Sequence, residues 1–351
     1  MMVEAPVIII GGGVAGLAVA KILTDSGLSC TVVERDLSIG GHVRNWACMA
    51  TDRCQRCFCC LADDLVQEVS SSQKINILTG WELSRILPSD GTEKRVSLKE
   101  ISSGAEVNTD SSAVVFATGF EVYNPAERLL WGHGRFDSVY TLAEVDDLLR
   151  QDMLPKFTRG INGLKIAFLQ CVGSRDAASG ANYCSQYCCK AALRMALKLV
   201  HECPDIEVTI FYIDLQVAGK YSGELLKNVE EKGVHLRQGV PGEIIQSSEN
   251  MLEFAVEHQG VNVRERFDRI ILSVGQRPFR PMSVLAGQLG IRVNEFGFLE
   301  TNGFLDNSRM AVPGAYVAGT CSGPKDIEQT LEHAGQTAAT IIADLQGGRL
   351  R

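Results

Sequence analysis

The most restrictive feature of this 351-residue chain is a unit completed within its first 34 residues. Val7, Ile8, Ile9 and Ile10 form a short, β-branched apolar run, the pattern of a buried strand in a parallel sheet. Gly11, Gly13 and Gly16 follow in G-x-G-x-x-G spacing, and Leu17, Val19, Ala20 and Leu23 continue with helical character to about Ser26. A second strand, Thr31 to Val33, ends at Glu34, 18 residues beyond the last glycine. Two of the glycines permit a tight turn and close approach of backbone to a pyrophosphate, and Gly16 lets helix pack on strand. The helix start offers free N–H groups to phosphates, and Glu34 can accept ribose hydroxyls. A lone glycine fingerprint is weak, but the complete strand–loop–helix–strand–acid series points to a bound dinucleotide.

The rest of the chain repeats this style. Ala113 to Ala117 is another buried strand, ending in Ala117-Thr118-Gly119. Gly314 to Ala318 is a late strand followed by Gly319-Thr320, and a helix begins near Asp326. Ile327, Thr330, Leu331, Ala334, Thr337, Ala338 and Ile341 share its expected inner face. In the middle, Leu164 to Leu169, Val208 to Ile213 and Ile270 to Val274 are strands, with a helix over about Ser185 to His201. The residues after Leu169 are Gln-Cys-Val-Gly-Ser-Arg, so no second glycine fingerprint seats a nicotinamide cofactor there.

Twelve cysteines are unusual in a chain of this composition. The apolar run near the N-terminus has no basic flank and is too short for a signal peptide, and nothing later reaches membrane-spanning length. The expected setting is the cytoplasm, where disulfides are disfavoured and clustered thiols mean metal ligation or redox chemistry. A net charge of −8 argues against nucleic acid. Cys30, Cys203 and Cys321 stand alone and are expected to pack as small hydrophobes. The other nine form two sets.

The central set is Cys171, Cys184, Cys188 and Cys189. Four thiolates match the ligand complement of a 4Fe–4S cluster, although the spacing is neither a ferredoxin pattern nor a zinc ribbon. Neighbours on a helix are rotated by about 100°, so Cys188 and Cys189 serve one centre only if the backbone bends or the helix begins there. The first set, Cys48, Cys54, Cys57, Cys59 and Cys60, follows Gly40-Gly41. Three readings compete for it: redox-active thiols, a second metal site, or a docking surface. Arg53 and Arg56 are expected to lower the neighbouring thiol pKa values.

The glycine fingerprint, the Ala-Thr-Gly strand end and the late strand–glycine–helix together resemble the two-dinucleotide-domain flavoproteins of thioredoxin and glutathione reductase type. That resemblance implies an α/β fold with a Rossmann-type FAD domain, residues 1–155 and 282–351, split by an inserted α/β domain at 156–281. It places FAD against Gly11, Gly13, Val14, Ala15, Gly16, Glu34, Arg35, Gly41, His42, Val43, Ala117, Thr118, Gly119, Gly319, Thr320, Lys325, Asp326 and Ile327. Thr320 stands where that class usually has an acid.

The run C-V-G-S-R-D, the C-x12-C-x3-C-C spacing and Gly323-Pro324-Lys325-Asp326-Ile327 resemble the A-type chain of heterodisulfide reductases, in a short form similar to that of sulfur-oxidising prokaryotes. This implies an oxidoreductase component carrying FAD and a 4Fe–4S cluster on Cys171, Cys184, Cys188 and Cys189. It further implies a homodimer that passes electrons between flavin, cluster and B- and C-type partner subunits in sulfur-compound metabolism. The family's CxxC is matched by Cys54 and Cys57 as redox thiols. Two alternatives are a stand-alone NAD(P)H-dependent disulfide oxidoreductase using the Cys48–Cys60 thiols, and a zinc-stabilised FAD-binding scaffold.

Overall fold

A computed structural model describes residues 5–87, 94–249, 251–258 and 260–347. The opening Met-Met-Val-Glu lies outside the described residues. In chain order the elements that position the candidate sites begin with β1 (Val7–Ile10), α1 (Val14–Asp25), β2 (Cys30–Glu34), α2 (Cys59–Ser71), β3 (Ile75–Thr79) and β4 (Ala113–Phe116). Then come β5 (Val139–Thr141), α3 (Leu142–Arg150), β6 (Lys165–Val172), α4 (Cys188–Glu202), β7 (Glu207–Tyr212), α5 (Ser222–Glu231) and β8 (His235–Gln238). Last are β9 (Arg269–Val274), β10 (Ala315–Val317) and α6 (Ile327–Gln346).

The chain divides into two compact units: residues 1–44, 58–121 and 277–351 in the first, 45–57 and 122–276 in the second. The first holds a parallel sheet in the order β10-β4-β1-β2-β3. β1 lies between β2 and β4 in register Val7↔Cys30 and Val7↔Ala113. All four residues of β1 are buried, as the unbroken apolar run requires of a strand covered on both faces. Its core joins Ile8, Ile10, Val33, Val114, Phe116 and Val317. The second unit holds a parallel sheet in the order β8-β7-β6-β9-β5. Each unit also carries a three-stranded antiparallel sheet, at 81–111 and 245–267.

The two-unit α/β architecture matches the expected fold class. The partition differs from the expected boundaries, because residues 122–155 and 45–57 cluster with the inserted unit. The reason for 122–155 is β5, a three-residue strand that pairs with β9 through Val139↔Ile270 and forms the sheet edge. So short an element carries no periodicity. Stretch 45–57 is held by Lys198 Nζ donating to Ala50 O (3.0 Å) and Arg194 Nε donating to Gln55 O (2.9 Å), both from α4.

Candidate functional site

The glycine loop is built for close backbone approach. Gly11 has φ +111°, and a Cβ there would meet Ala117 O at 2.3 Å; a Cβ on Gly16 would meet Gly11 O at 2.0 Å. The N-cap of α1 is Gly13, with no side-chain hydrogen bond, so the first-turn N–H groups beside buried Val14 and Ala15 are left for an anion. A Cβ on Gly41 would lie 3.0 Å from Gly13 Cα, which brings the Gly40-Gly41 turn over the loop. Buried Glu34 at the end of β2 accepts from Gly12 N (2.7 Å) and from Asp36 N (2.9 Å), fastening the turn.

Other residues expected at the nucleotide follow the carboxyl ends of the strands of the same sheet. Ala117 N donates to Ile10 O (2.8 Å), and Thr118 Oγ1 is buried with no partner among the described residues. Gly119 has φ +71° and open space at its Cβ position. A Cβ on Gly319 would sit 2.6 Å from Ala15 Cβ, so β10 ends against α1. Thr320 is buried behind it and Val43 lies in the core. Exposed Arg35 stacks its guanidinium over Phe279 at 5.1 Å, and His42 Nε2 contacts Phe120 O at 2.9 Å. Lys325 is driven down in pKa by burial, and its Nζ donates to Ser322 Oγ (3.0 Å).

Asp326 caps α6, which opens at Ile327. Its Oδ1 accepts from Gln329 N (2.9 Å), and Gln329 Oε1 accepts from Asp326 N (3.0 Å). Asp326→Ala is expected to cost about 1 kcal/mol of stability, measured by denaturant unfolding. The cap is the geometry the side chain adopts, so a cofactor role for Asp326 is not needed to explain it.

His333 was not among the expected site residues. Its Nδ1 accepts from Gly319 N (3.1 Å) and its Nε2–H donates to Asn307 O (2.8 Å), so both nitrogens are used by the neutral ring. Burial, with a smaller contribution from the Lys325 charge, lowers its pKa. A histidine depressed in the fold stabilises above its unfolded value near 6.5. That stability is expected to be lost as pH falls below about 6.5, visible as a declining melting temperature that His333→Gln flattens. Its spacing from Thr330 and Thr337 on the inner face of α6 is the signal that marks it in the sequence.

The central thiols lie in one loop of the second unit, between the end of β6 and the start of α4. The helix begins at Cys188, which meets the requirement for Cys188 and Cys189 to serve one centre. Burial pushes Cys171 up to about 11, with Cys189 and Cys184 adding like-charge repulsion and Arg175 opposing it. Burial likewise raises Cys188 well above the ordinary thiol value, and Cys171, Cys189 and Cys184 all add to the rise. All four sulfurs therefore share one electrostatic neighbourhood. Cys171, Arg175 and Gln186 have φ of +62°, +54° and +63°, strained for side-chain-bearing residues.

Hydrogen bonds lace this loop to the end of β9. Gln276 N donates to Ser185 Oγ (2.9 Å), Tyr183 OH to Gln276 O (2.9 Å) and Tyr187 OH to Val274 O (2.5 Å). Arg175 forms an ion pair with Asp214. A Cβ on Gly173 would run into the Tyr123 ring at 2.1 Å, so the position after β6 is filled by an aromatic side chain.

In the first cysteine set, Cys48 and Cys54 are exposed and Cys57 is half-buried. Cys57 Sγ accepts from Met49 N (3.4 Å). Nearby, burial pushes the Asp146 carboxyl up to about 7 although it accepts from Ala47 N (2.8 Å). The two arginines expected to activate thiols turn to α5 and the turn before it. Arg53 donates to Asn228 Oδ1 (3.2 Å), and Arg56 pairs with Glu224 (3.3 Å) and covers the Tyr221 ring. Arg56 and Phe58 add two more positive φ values, so five of the seven non-glycine cases among the described residues fall in the two cysteine loops. The solitary cysteines behave as packing groups: Cys30 and Cys321 are buried, and Cys203 is half-buried.

Among solved structures, the thioredoxin reductases of T. acidophilum (TM-score 0.64, 15% identity, 97% of this chain and 99% of that one) and Lactococcus lactis (0.63, 18%, 97% and 98%) share the fold. Three curated relatives are all A-type chains of heterodisulfide reductases. The chain is 31% identical over 266 residues to that of the H(2):CoB-CoM heterodisulfide,ferredoxin reductase of Methanothermobacter marburgensis, covering 73% of this chain and 40% of that protein. It is 27% identical to that of the Ferredoxin:CoB-CoM heterodisulfide reductase of Methanosarcina acetivorans, covering 96% and 56%. It is 26% identical to the iron-sulfur A-type chain of the CoB-CoM heterodisulfide reductase of Methanocaldococcus jannaschii, covering 99% and 65%. The chain thus spans about half the length of these curated relatives. No helix among the described residues is long and apolar enough to cross a membrane. The family model for pyridine nucleotide-disulphide oxidoreductases matches residues 5–338, and with the two-unit fold and the glycine loop this makes the protein a member of that oxidoreductase family.

Proposed function

We propose that this protein is an electron-transfer component of heterodisulfide-reductase type, with FAD on the glycine loop of its first unit and a 4Fe–4S cluster on Cys171, Cys184, Cys188 and Cys189. The observation that carries this reading is the electrostatic coupling of those four thiols along one partly buried loop that, in a two-nucleotide flavoprotein, would hold a second pyrophosphate. The donor set fits: Cys188 and Cys189 are buried and Cys171 and Cys184 half-buried, their thiolates would repel one another, and iron would supply the positive charge that lets them coexist. The start of α4 at Cys188 adds a helix N-terminus that favours negative sulfur, and Arg175 beside Cys171 acts in the same sense. The glycine loop also fits, with an uncapped helix start and the orphaned Thr118 hydroxyl. When bound, the flavin exchanges electron pairs and the cluster single electrons.

The chain's own part is to hold and insulate these groups. B- and C-type partner subunits, a homodimeric state, a cytoplasmic setting and a sulfur-compound substrate belong to the same proposal, supported by the heterodisulfide reductase relatives. The rival stand-alone NAD(P)H-dependent disulfide reductase is less well supported. Gly11 to Gly13 separate β1 from α1, whereas residues 173–187 separate β6 from α4, and Tyr123 fills the turn.

The test is anaerobic purification with metal, sulfide and flavin analysis. About four irons and four sulfides per chain are expected beside FAD. Zinc without sulfide would favour a structural metal scaffold. Bleaching of the flavin by NAD(P)H alone would favour the stand-alone reductase.

A further inference from the structure

Two buried polar side chains beneath the cysteine loop have no hydrogen-bond partner among the described residues. Both amide atoms of Gln170 are in this state, as is the Ser273 hydroxyl, at 7% and 0% exposure. Native proteins leave few buried polar atoms unmatched, so each needs a physical account. Leu169 of β6 pairs with Leu272 of β9, and the register then shifts so that Val172 meets Val274, leaving Gln170 and Ser273 between the two registered pairs of adjacent parallel strands. Alternation gives Ser273 the face of Ile271, and Gln170 the face of Phe168 ahead of Cys171, whose φ is +62°. Leu169, Leu272 and Val274 pack with Phe254 on one side, whereas Phe168 and Ile271 pack with Ala192 and Leu193 of α4 on the other. Gln170 and Ser273 therefore face α4 at the carboxyl ends of their strands. That helix starts at Cys188 and Cys189, and Gln170 directly precedes Cys171.

The geometry points to Gln170 and Ser273 as hydrogen-bond donors to the sulfur atoms of a centre held by Cys171, Cys184, Cys188 and Cys189. This inference rests on the cluster reading above and deepens it. An amide N–H and a hydroxyl are the donors available at this depth, since the described residues offer them no oxygen. Donors to cluster sulfur favour the more negative, reduced form and raise its reduction potential. The residues would thus tune the potential at which electrons enter or leave the centre. A buried water is the competing occupant, and it would leave the potential to the remaining surroundings.

The test is an anaerobic redox titration of the intact holoprotein, followed by electron paramagnetic resonance, for wild type, Gln170→Leu, Ser273→Ala and the double variant. All are expected to keep FAD and the wild-type iron content. The double variant should be about tenfold harder to reduce, a fall of about 59 mV for a one-electron couple. Ser273→Ala alone should shift in the same direction by less, and it decides the matter if Gln170→Leu does not fold. Unchanged potentials with full iron would overturn the donor role and leave the cluster standing. Wild-type protein without iron and sulfide would overturn the cluster reading, and this inference with it.

Discussion

Alanine at Cys188 is expected to empty the central site of iron and sulfide while FAD remains bound. Cys188 is 6% exposed, stands at the first position of α4, and is coupled to the other three thiols at once. Its Sγ also donates to Val274 O (3.8 Å), so the sulfur is held between the helix start and the end of β9. Losing one of four ligands at a buried corner leaves the rest unable to enclose a cubane. Broad visible absorbance should vanish and the flavin bands should stay. Cys171→Ala, Cys184→Ala and Cys189→Ala should give the same result, and Cys203→Ala should give wild-type spectra. Retention of full iron in any two of the four variants would sink the assignment.

The second large effect is expected from a single methyl group at Gly16. Its backbone is not in the left-handed region, so Ala is free of conformational strain there and only space decides the outcome. A Cβ would meet Gly11 O at 2.0 Å and the Ile9 side chain at 3.2 Å. The backbone atom cannot swing away, so α1 must back off from the loop and its N–H groups lose their aim at the pyrophosphate. Gly16→Ala should weaken FAD binding by tenfold or more, about 1.4 kcal/mol, read as flavin content after gel filtration and by titration with free FAD. Because the glycine loop and the thiol loop belong to different compact units, the iron content should fall much less. Equal flavin content in variant and wild type would remove the glycine loop from the cofactor site.

These expectations have different sources. The glycine loop was legible because its signal is local: three glycines at short spacing, an apolar run and an acid are read directly along 28 residues, Val7 to Glu34. The helix after the central thiols was legible from its apolar pattern, but its start was read near Ser185, and the structure begins α4 at Cys188. In the first cysteine set, spacing did not show that Cys54 is exposed and Cys57 half-buried, or that the chain passes through positive φ at Arg56 and Phe58. Arg53 and Arg56, adjacent to thiols in sequence, find Asn228 and Glu224 in space.

The order of residues alone was enough to establish the parallel-sheet architecture and the strand–glycine turn–helix unit at the start of the chain, because strand burial and glycine geometry act over a few residues. Only the tertiary structure decided that 45–57 and 122–155 belong with the second unit. It alone also decided that both ring nitrogens of His333 are used, by Gly319 and Asn307, and that the side chains of Gln170 and Ser273 are buried without a partner among the described residues. Those outcomes depend on sheet register and on contacts between residues far apart in the chain. A register shift of one residue would turn every such side chain to the opposite face.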